Sequence, residues 1–258
     1  MNCNRISKPI RVVLHGGLGN QLFQLFYAVN LSAHRSNCTI LLHTELLGKY
    51  STAREFELSD LVSDVSNVLV EPIGNFCSFR FPKILNKFTK KEKAIRVPFF
   101  GYLVDGYFQS KSNYLGFERS QIKLLLSDWR GRLGIECDNS NNHRELVHIR
   151  LGDFFNSSQE SQDYVREKLL KLPKDIDVMS NEEGIVNKVI VQLGRSDHTK
   201  VIATKNDNSW DVFKKMCAYD VLYTNGSTLA FWAACISCAK LYTTNNEHAL
   251  LYEYFFRI

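Results

Sequence analysis

The sequence predicts an α/β protein built as two halves, and three observations carry that reading. Arg11 to Tyr27, RVVLHGGLGNQLFQLFY, reads as a buried strand (Val12, Val13, Leu14), a glycine turn, and a helix whose apolar residues Leu22, Leu25, Phe26 and Val29 recur at helical spacing after Asn20. A second apolar run of strand length, Cys38 to His43, follows at the distance of a β-α-β crossover. The alternation of strand and helix starts again at LVHIRLGDFF, from Leu146, after the polar, turn-forming stretch GRLGIECDNSNNHRE (131–145). The expected division is therefore 1–140 and 141–258.

Between these landmarks the chain is less regular. VSNVLVEP predicts a strand ending before Pro72, Phe99 to Gln109 a strand punctuated by Gly101 and Gly106, and the stretch from Ser110 to about Trp129 a helix. In the second half, helices are expected over Asp163 to Leu172 and Glu182 to Leu193, a strand over Lys200 to Thr204, a helix from Trp210 to about Ala218 and a strand at DVLY. TNGSTLAFWAACISCAKLY then reads as one strongly apolar helix from Gly226 onwards. The aromatic tail HALLYEYFFRI is expected to pack back on the body.

Composition bounds the function. With 258 residues and 45% hydrophobic content the chain buries proper cores, and no stretch has the length and apolarity of a membrane span or a secretory leader. Seven scattered cysteines suit a reducing compartment, so the expected location is cytoplasmic. Cys235 and Cys238 form a lone Cys-x-x-Cys inside the apolar helical pattern, with no second pair, which reads as core packing rather than metal or redox chemistry. A net charge of +5 is too thinly spread for a nucleic-acid binder. It concentrates in Arg80 to Arg96, where seven Lys or Arg face the single acid Glu92 among Phe81, Ile84, Leu85 and Phe88. That segment is either a solvated face or a contact for an anionic membrane surface or a pyrophosphate-bearing acceptor.

Candidate chemistry sits at the turns. Gly16, Gly17 and Gly19 let the first turn approach a ligand, and the helix after it offers free N–H groups, which suits a phosphate or a sugar as well as simple packing. His148, Arg150 and Asp153 fall at the carboxyl end of a predicted strand, where open α/β sheets bind ligands; a core histidine and a structural Arg–Asp pair are the plainer alternatives. Gly226, Ser227 and Thr228 begin a helix and form an anion site there. Asp175 and Asp177 make an Asp-x-Asp pair of the kind that holds a divalent ion in metal-dependent transferases.

Four of these stretches resemble one family. HGGLGNQLFQLFYA resembles the N-terminal motif of the α-1,2-fucosyltransferases, glycosyltransferase family eleven, and DGYFQS resembles a shorter mid-chain motif of the same proteins. VHIRLGD resembles the His-x-Arg-Arg-x-Asp type motif shared with the α-1,6- and protein O-fucosyltransferases, with Leu151 where the second Arg would stand. GSTLAFWAA resembles the motif near the family's C-terminal end. The resemblance implies a GT-B fold, two Rossmann-like domains facing across a cleft, and inverting transfer of L-fucose from GDP-fucose to a galactoside hydroxyl. It implies that no metal or other cofactor takes part.

On that resemblance the second domain holds the donor. Arg150 and the Gly226 to Thr228 helix start meet the diphosphate, His148 orients the nucleotide, and Asp153 fixes Arg150 or serves as base. Gly17, Gly19 and Asn20 face sugar and acceptor. The absence of a membrane anchor points to a bacterial type acting on oligosaccharide or lipid-linked glycan precursors at the inner face of the membrane. Another sugar-nucleotide donor, or a non-catalytic nucleotide- or glycan-binding protein on the same fold, are the competing expectations.

Overall fold

The structure is a computed structural model that describes residues 8–35, 38–47, 54–63, 65–71, 94–97, 101–137, 144–151 and 157–256. The chain divides into two compact units, 1–134 with 253–258, and 135–252.

In the first unit, strands β1 (Ile10–Val13), β2 (Ile40–His43), β3 (Val68–Glu71) and β5 (Gly101–Asp105) are parallel, and β4 (Ala94–Val97) runs antiparallel on the edge beside β5. Their order is β3-β2-β1-β5-β4, so the chain steps outward from β1 to β3, crosses to the opposite edge at β4 and comes back beside β1 at β5. Helix α1 (Leu18–Ala33) is deeply buried, and the short α2 (Ser59–Val62) and α3 (Arg119–Leu133) complete the unit. Phe26 of α1 meets the Trp129 ring edge-on at 5.3 Å, Phe255 at 5.4 Å and Tyr114 at 6.0 Å. Each such buried ring contributes roughly 1.5–3 kcal/mol through the surface it withdraws from water.

In the second unit five strands are all parallel: β6 (Glu145–Ile149), β7 (Asp177–Ser180), β8 (Val201–Ala203), β9 (Val221–Thr224) and β10 (Lys240–Thr243). Their order, β10-β9-β6-β7-β8, again reverses beside the first strand. Helices α4 (Ser158–Leu170), α5 (Glu183–Gln192), α6 (Ser209–Cys217) and α7 (Thr228–Ser237) connect them, and α8 (Asn246–Phe256) follows β10. Val147, Ile149 and Leu151 pack with Val165 and Leu169 of α4 and Val186, Val189 and Ile190 of α5. Both units are thus open, mostly parallel sheets of Rossmann-like order.

Several elements differ from expectation, each for a local reason. Gly17 has extended backbone and is itself the N-cap, so α1 begins at Leu18 and Gly19 and Asn20 lie inside its first turn. The strand predicted to Gln109 stops at Asp105, because Gly106 (φ 149°) and Phe108 (φ 54°) bend the chain. After it comes a 3₁₀ turn at Lys111–Asn113, capped by Ser110, and the helix starts only at Arg119. Ser157 caps α4 through the Glu160 N–H, moving that helix earlier than predicted. The apolar run after Gly226 is not one helix. Cys238 at φ 64° ends α7, the Ser237 hydroxyl takes the Ala239 N–H at 3.4 Å, and the chain re-enters the sheet as β10. The KDIDV segment, read as loop, runs into β7, whose first residues are Asp177 and Val178. Most of the basic segment lies outside the described residues; its end, Ala94 to Arg96, is part of β4.

Candidate functional site

In parallel sheets of this kind, ligands bind beyond the carboxyl ends of the two strands where the order reverses. Those strands are β1 and β5 in the first unit and β6 and β9 in the second.

At the first reversal the turn after β1 is held by glutamine side chains of α1. Gln21 donates to the Gly16 carbonyl at 3.0 Å and the Glu55 carbonyl at 2.8 Å and accepts the Glu57 N–H at 3.0 Å. Gln24 accepts the His15 N–H at 3.0 Å and donates to the Gly106 carbonyl at 3.0 Å, so one buried side chain ties the ends of β1 and β5 together. Only Gly16 of the three turn glycines has positive φ, at 71°, and a Cβ there would come 2.3 Å from the Asn20 amide nitrogen, which folds over it. Asn20 Oδ1 accepts from Gln109 Nε2 at 3.0 Å. Gly17 lies against the Arg54 and Glu57 side chains, about 3.9 Å from where its Cβ would be.

Sequence reasoning missed the group beside them. His15 Nε2 lies 2.7 Å from Asp105 Oδ1, with 11% and 15% of the two side chains exposed. Tyr107, 41% exposed, stands with its ring 6.0 Å from the His15 ring. The partners are 90 residues apart, so nothing local in either stretch announces the pair.

At the second reversal His148 and Thr224 are register partners on β6 and β9, and Arg150 follows β6 on the exposed side. His148 Nδ1 is buried without a hydrogen-bond partner among the described residues. Burial, and then the neighbouring Arg150 charge, lowers its pKa to about 4, so this ring is neutral at pH 7 and offers hydrogen bonds rather than charge. Leu151 is fully buried in the core, and Asn181 after β7 grips its backbone, accepting the Leu151 N–H at 2.9 Å. Asp153 lies outside the described residues.

After β9, Gly226 has φ 110° and packs against Asn245. Ser227 caps α7 by accepting the Ala230 N–H at 3.3 Å, and its own N–H goes to Thr224 Oγ1 at 3.1 Å. Thr228 is the first residue of α7. A cavity of about 260 Å³ opens here, lined by His148, Tyr164, Lys168, Lys171, Tyr223 to Asn225 and Tyr242 to Thr244. Tyr223 and Tyr242 stack face to face at 4.9 Å, and Asn225 donates to the Tyr164 hydroxyl.

The other candidates are engaged elsewhere. Asp175 Oδ1 pairs with His198 Nδ1 at 2.8 Å, while Asp177 Oδ2 accepts the Tyr219 hydroxyl at 2.6 Å. Cys235 is fully buried, its thiol pushed well above the ordinary range by burial, whereas Cys238 is exposed with its sulfur 2.9 Å from that of Cys137.

No protein-family model matches the chain, and no curated protein matches its sequence. Solved structures similar to it include a mutant of Arabidopsis thaliana FUT1 in complex with GDP, at 12% identity over 94% of this chain and 71% of that one, with a TM-score of 0.48. The Bradyrhizobium fucosyltransferase NodZ is similar at 12% identity, over 88% of this chain and 92% of its own, with a TM-score of 0.46. E. coli heptosyltransferase WaaC with ADP is similar at 11% identity, over 91% and 86% respectively, with a TM-score of 0.47.

Proposed function

We propose that the chain is a GT-B type nucleotide-sugar glycosyltransferase that moves L-fucose from GDP-fucose to a galactoside hydroxyl, in α-1,2 linkage and with inversion, during bacterial surface-glycan synthesis. One observation carries the reading. The four stretches that resemble family-eleven motifs lie at the carboxyl ends of β1, β5, β6 and β9, the strands that flank the order reversal in each sheet. A chance likeness in four short stretches has no reason to select those four ends out of ten strands.

Departure of GDP builds charge on its β-phosphate, which calls for donors already in place. Arg150 supplies a two-pronged cation, and the first N–H groups of α7, with Ser227 and Thr228, add hydrogen bonds at a helix N-terminus. His148, neutral, turns an unsatisfied nitrogen to the nucleotide. Asp153 steadies Arg150. Gly17, Gly19 and Asn20 shape the sugar and acceptor side, and no metal is needed because Arg150 and the helix end neutralise the diphosphate. The acceptor is an oligosaccharide or lipid-linked glycan, reached at the inner membrane face through Arg80 to Arg96; among the described residues no helix is long and apolar enough to cross a membrane.

A donor screen by thermal shift, GDP-fucose against UDP-, TDP- and other GDP-sugars, followed by GDP release with and without a galactoside, tests the reading. GDP-fucose should raise the melting temperature most and release GDP only with acceptor. Stabilisation without release would make the chain a binding protein, and a stronger shift with another sugar nucleotide would replace the donor.

A further inference from the structure

We propose that Cys137 and Cys238 are an oxidation site of the second unit: a small-molecule disulfide joins their sulfurs in an intramolecular bond that closes the unit on itself, whatever sugar nucleotide the chain uses. The two Sγ atoms lie 2.9 Å apart, nearer than packing alone brings two sulfurs and within about 1 Å of the roughly 2.05 Å of an S–S bond. None of the described cysteines is in a disulfide, so both are thiols. Both belong to the second unit, and an oxidant can reach them, since Cys238 is exposed and Cys137 half-buried.

The Cys-x-x-Cys spacing is not the reactive pair. Cys235 is fully buried, and burial holds its thiol well above the ordinary range, which keeps it protonated and inert. Three residues on, α7 has ended and Cys238 stands outside the core. Its backbone takes φ 64°, a conformation that favours glycine at a helix end because a Cβ is strained there. The neighbours fix it from both sides. Ser237 Oγ donates to the Ala233 carbonyl at 2.8 Å and accepts the Ala239 N–H at 3.4 Å, and the Tyr252 hydroxyl donates to the Ala239 carbonyl at 2.6 Å. A strained residue clamped in this way keeps one side-chain direction, and here that direction leads to a second thiol.

The two cysteines are 101 residues apart, and the loop between them contains β6 to β9 and helices α4 to α7. A bond across it restricts the unfolded chain over most of the second unit, and loops of that length gain most from closure. The chemistry is thiol–disulfide exchange. The thiolate of one cysteine attacks a sulfur of the reagent RSSR, expels one RS⁻ and leaves a mixed disulfide; the second thiolate attacks the protein sulfur of that bond and expels the other RS⁻. The two protons given up by the cysteines end on two RSH, so the protein pair loses two electrons and the reagent gains them.

The test uses the full chain, reduced with dithiothreitol, separated from it, incubated with oxidised glutathione and digested without reduction for mass spectrometry. A peptide pair linked through Cys137 and Cys238 should form within single molecules, and the melting temperature should rise by about 5 °C or more, both reversed by dithiothreitol. Cys137→Ser should lose the linked pair and the rise, whereas Cys235→Ala should keep both. If Cys137→Ser does not fold, Cys238→Gly, which suits the positive φ, faces the same criteria. Glutathione attached singly to these cysteines with no linked pair, a bond from Cys238 to Cys235, or a bond only between molecules overturns the site. A linked pair that leaves the melting temperature unchanged, or an equal rise in Cys137→Ser, overturns its closure of the unit.

Discussion

Asp177 accepts the hydroxyl of Tyr219 at 2.6 Å, and that bond joins the start of β7 to the loop before β9. Burial, and then this bond, raise the Tyr219 pKa to about 12, and the Arg144 guanidinium lies 4.6 Å over the ring. The second aspartate of the Asp-x-Asp pair is therefore a structural acceptor. Asp177→Ala should cost about 1–3 kcal/mol in urea unfolding, since it strands a buried hydroxyl. EDTA should leave turnover of the wild type unchanged; loss of turnover restored by a divalent ion would return the pair to a metal role.

Arg150 comes directly after β6, and Leu151 beside it is fully buried, so in the proposed function Arg150 is the cation of this motif that would meet the diphosphate. Arg150→Lys keeps that charge but loses the two-pronged geometry. Turnover should fall at least about a hundredfold, roughly 3 kcal/mol of lost transition-state stabilisation. The melting temperature should hold, because the residue is exposed. Near-normal transfer, or unfolding, would make Arg150 a structural residue.

His148 and His248 each have a pKa of about 4, lowered chiefly by burial. In the unfolded chain they titrate near 6.5, so between pH 6.5 and 4 the unfolded state binds more protons and folding weakens as pH falls. Stability is complete above about pH 6.5 and declines toward pH 4, by on the order of 3 kcal/mol per histidine. Urea midpoints at pH 7 and pH 5 measure it. His148→Gln should flatten the slope; an unchanged slope would show that His148 already titrates normally.

The basic segment Arg80 to Arg96 is proposed to hold the chain on anionic membranes. Replacing Lys87, Lys90, Lys91 and Lys93 with Gln should release the protein from anionic vesicles in a sedimentation assay, each lysine contributing about 1 kcal/mol, and salt should do the same to the wild type. Equal sedimentation of both forms would leave the segment a solvated face.

The glycine turn, the strand before it and the core of α1 were legible in the sequence because burial imposes a local period on them. β7 and β10 were not. Asp177 and Lys240 open those short strands with charges, and β10 follows an apolar helix that ends on Cys238 rather than on a glycine. Arg150 and Ser227 could be placed because their residue type and their position at an element's end coincide. The His15–Asp105 pair could not, since pairing across parallel strands depends on sheet order, which no window of sequence contains. A signal was nonetheless present: Gln21 and Gln24 stand among Leu22, Phe23, Leu25 and Phe26, and buried amides imply backbone groups in need of partners.

The first unit takes residues from both sides of the second: Tyr254 and Phe255 of α8 sit among its aromatic residues, and the Tyr254 hydroxyl donates to the Tyr114 carbonyl at 3.2 Å. On the ribosome, Phe26 and Tyr114 emerge long before the residues that cover them. The first unit thus cannot finish folding until the second has been made, which reverses the usual N-to-C order of domain completion and leaves an apolar surface exposed in the meantime.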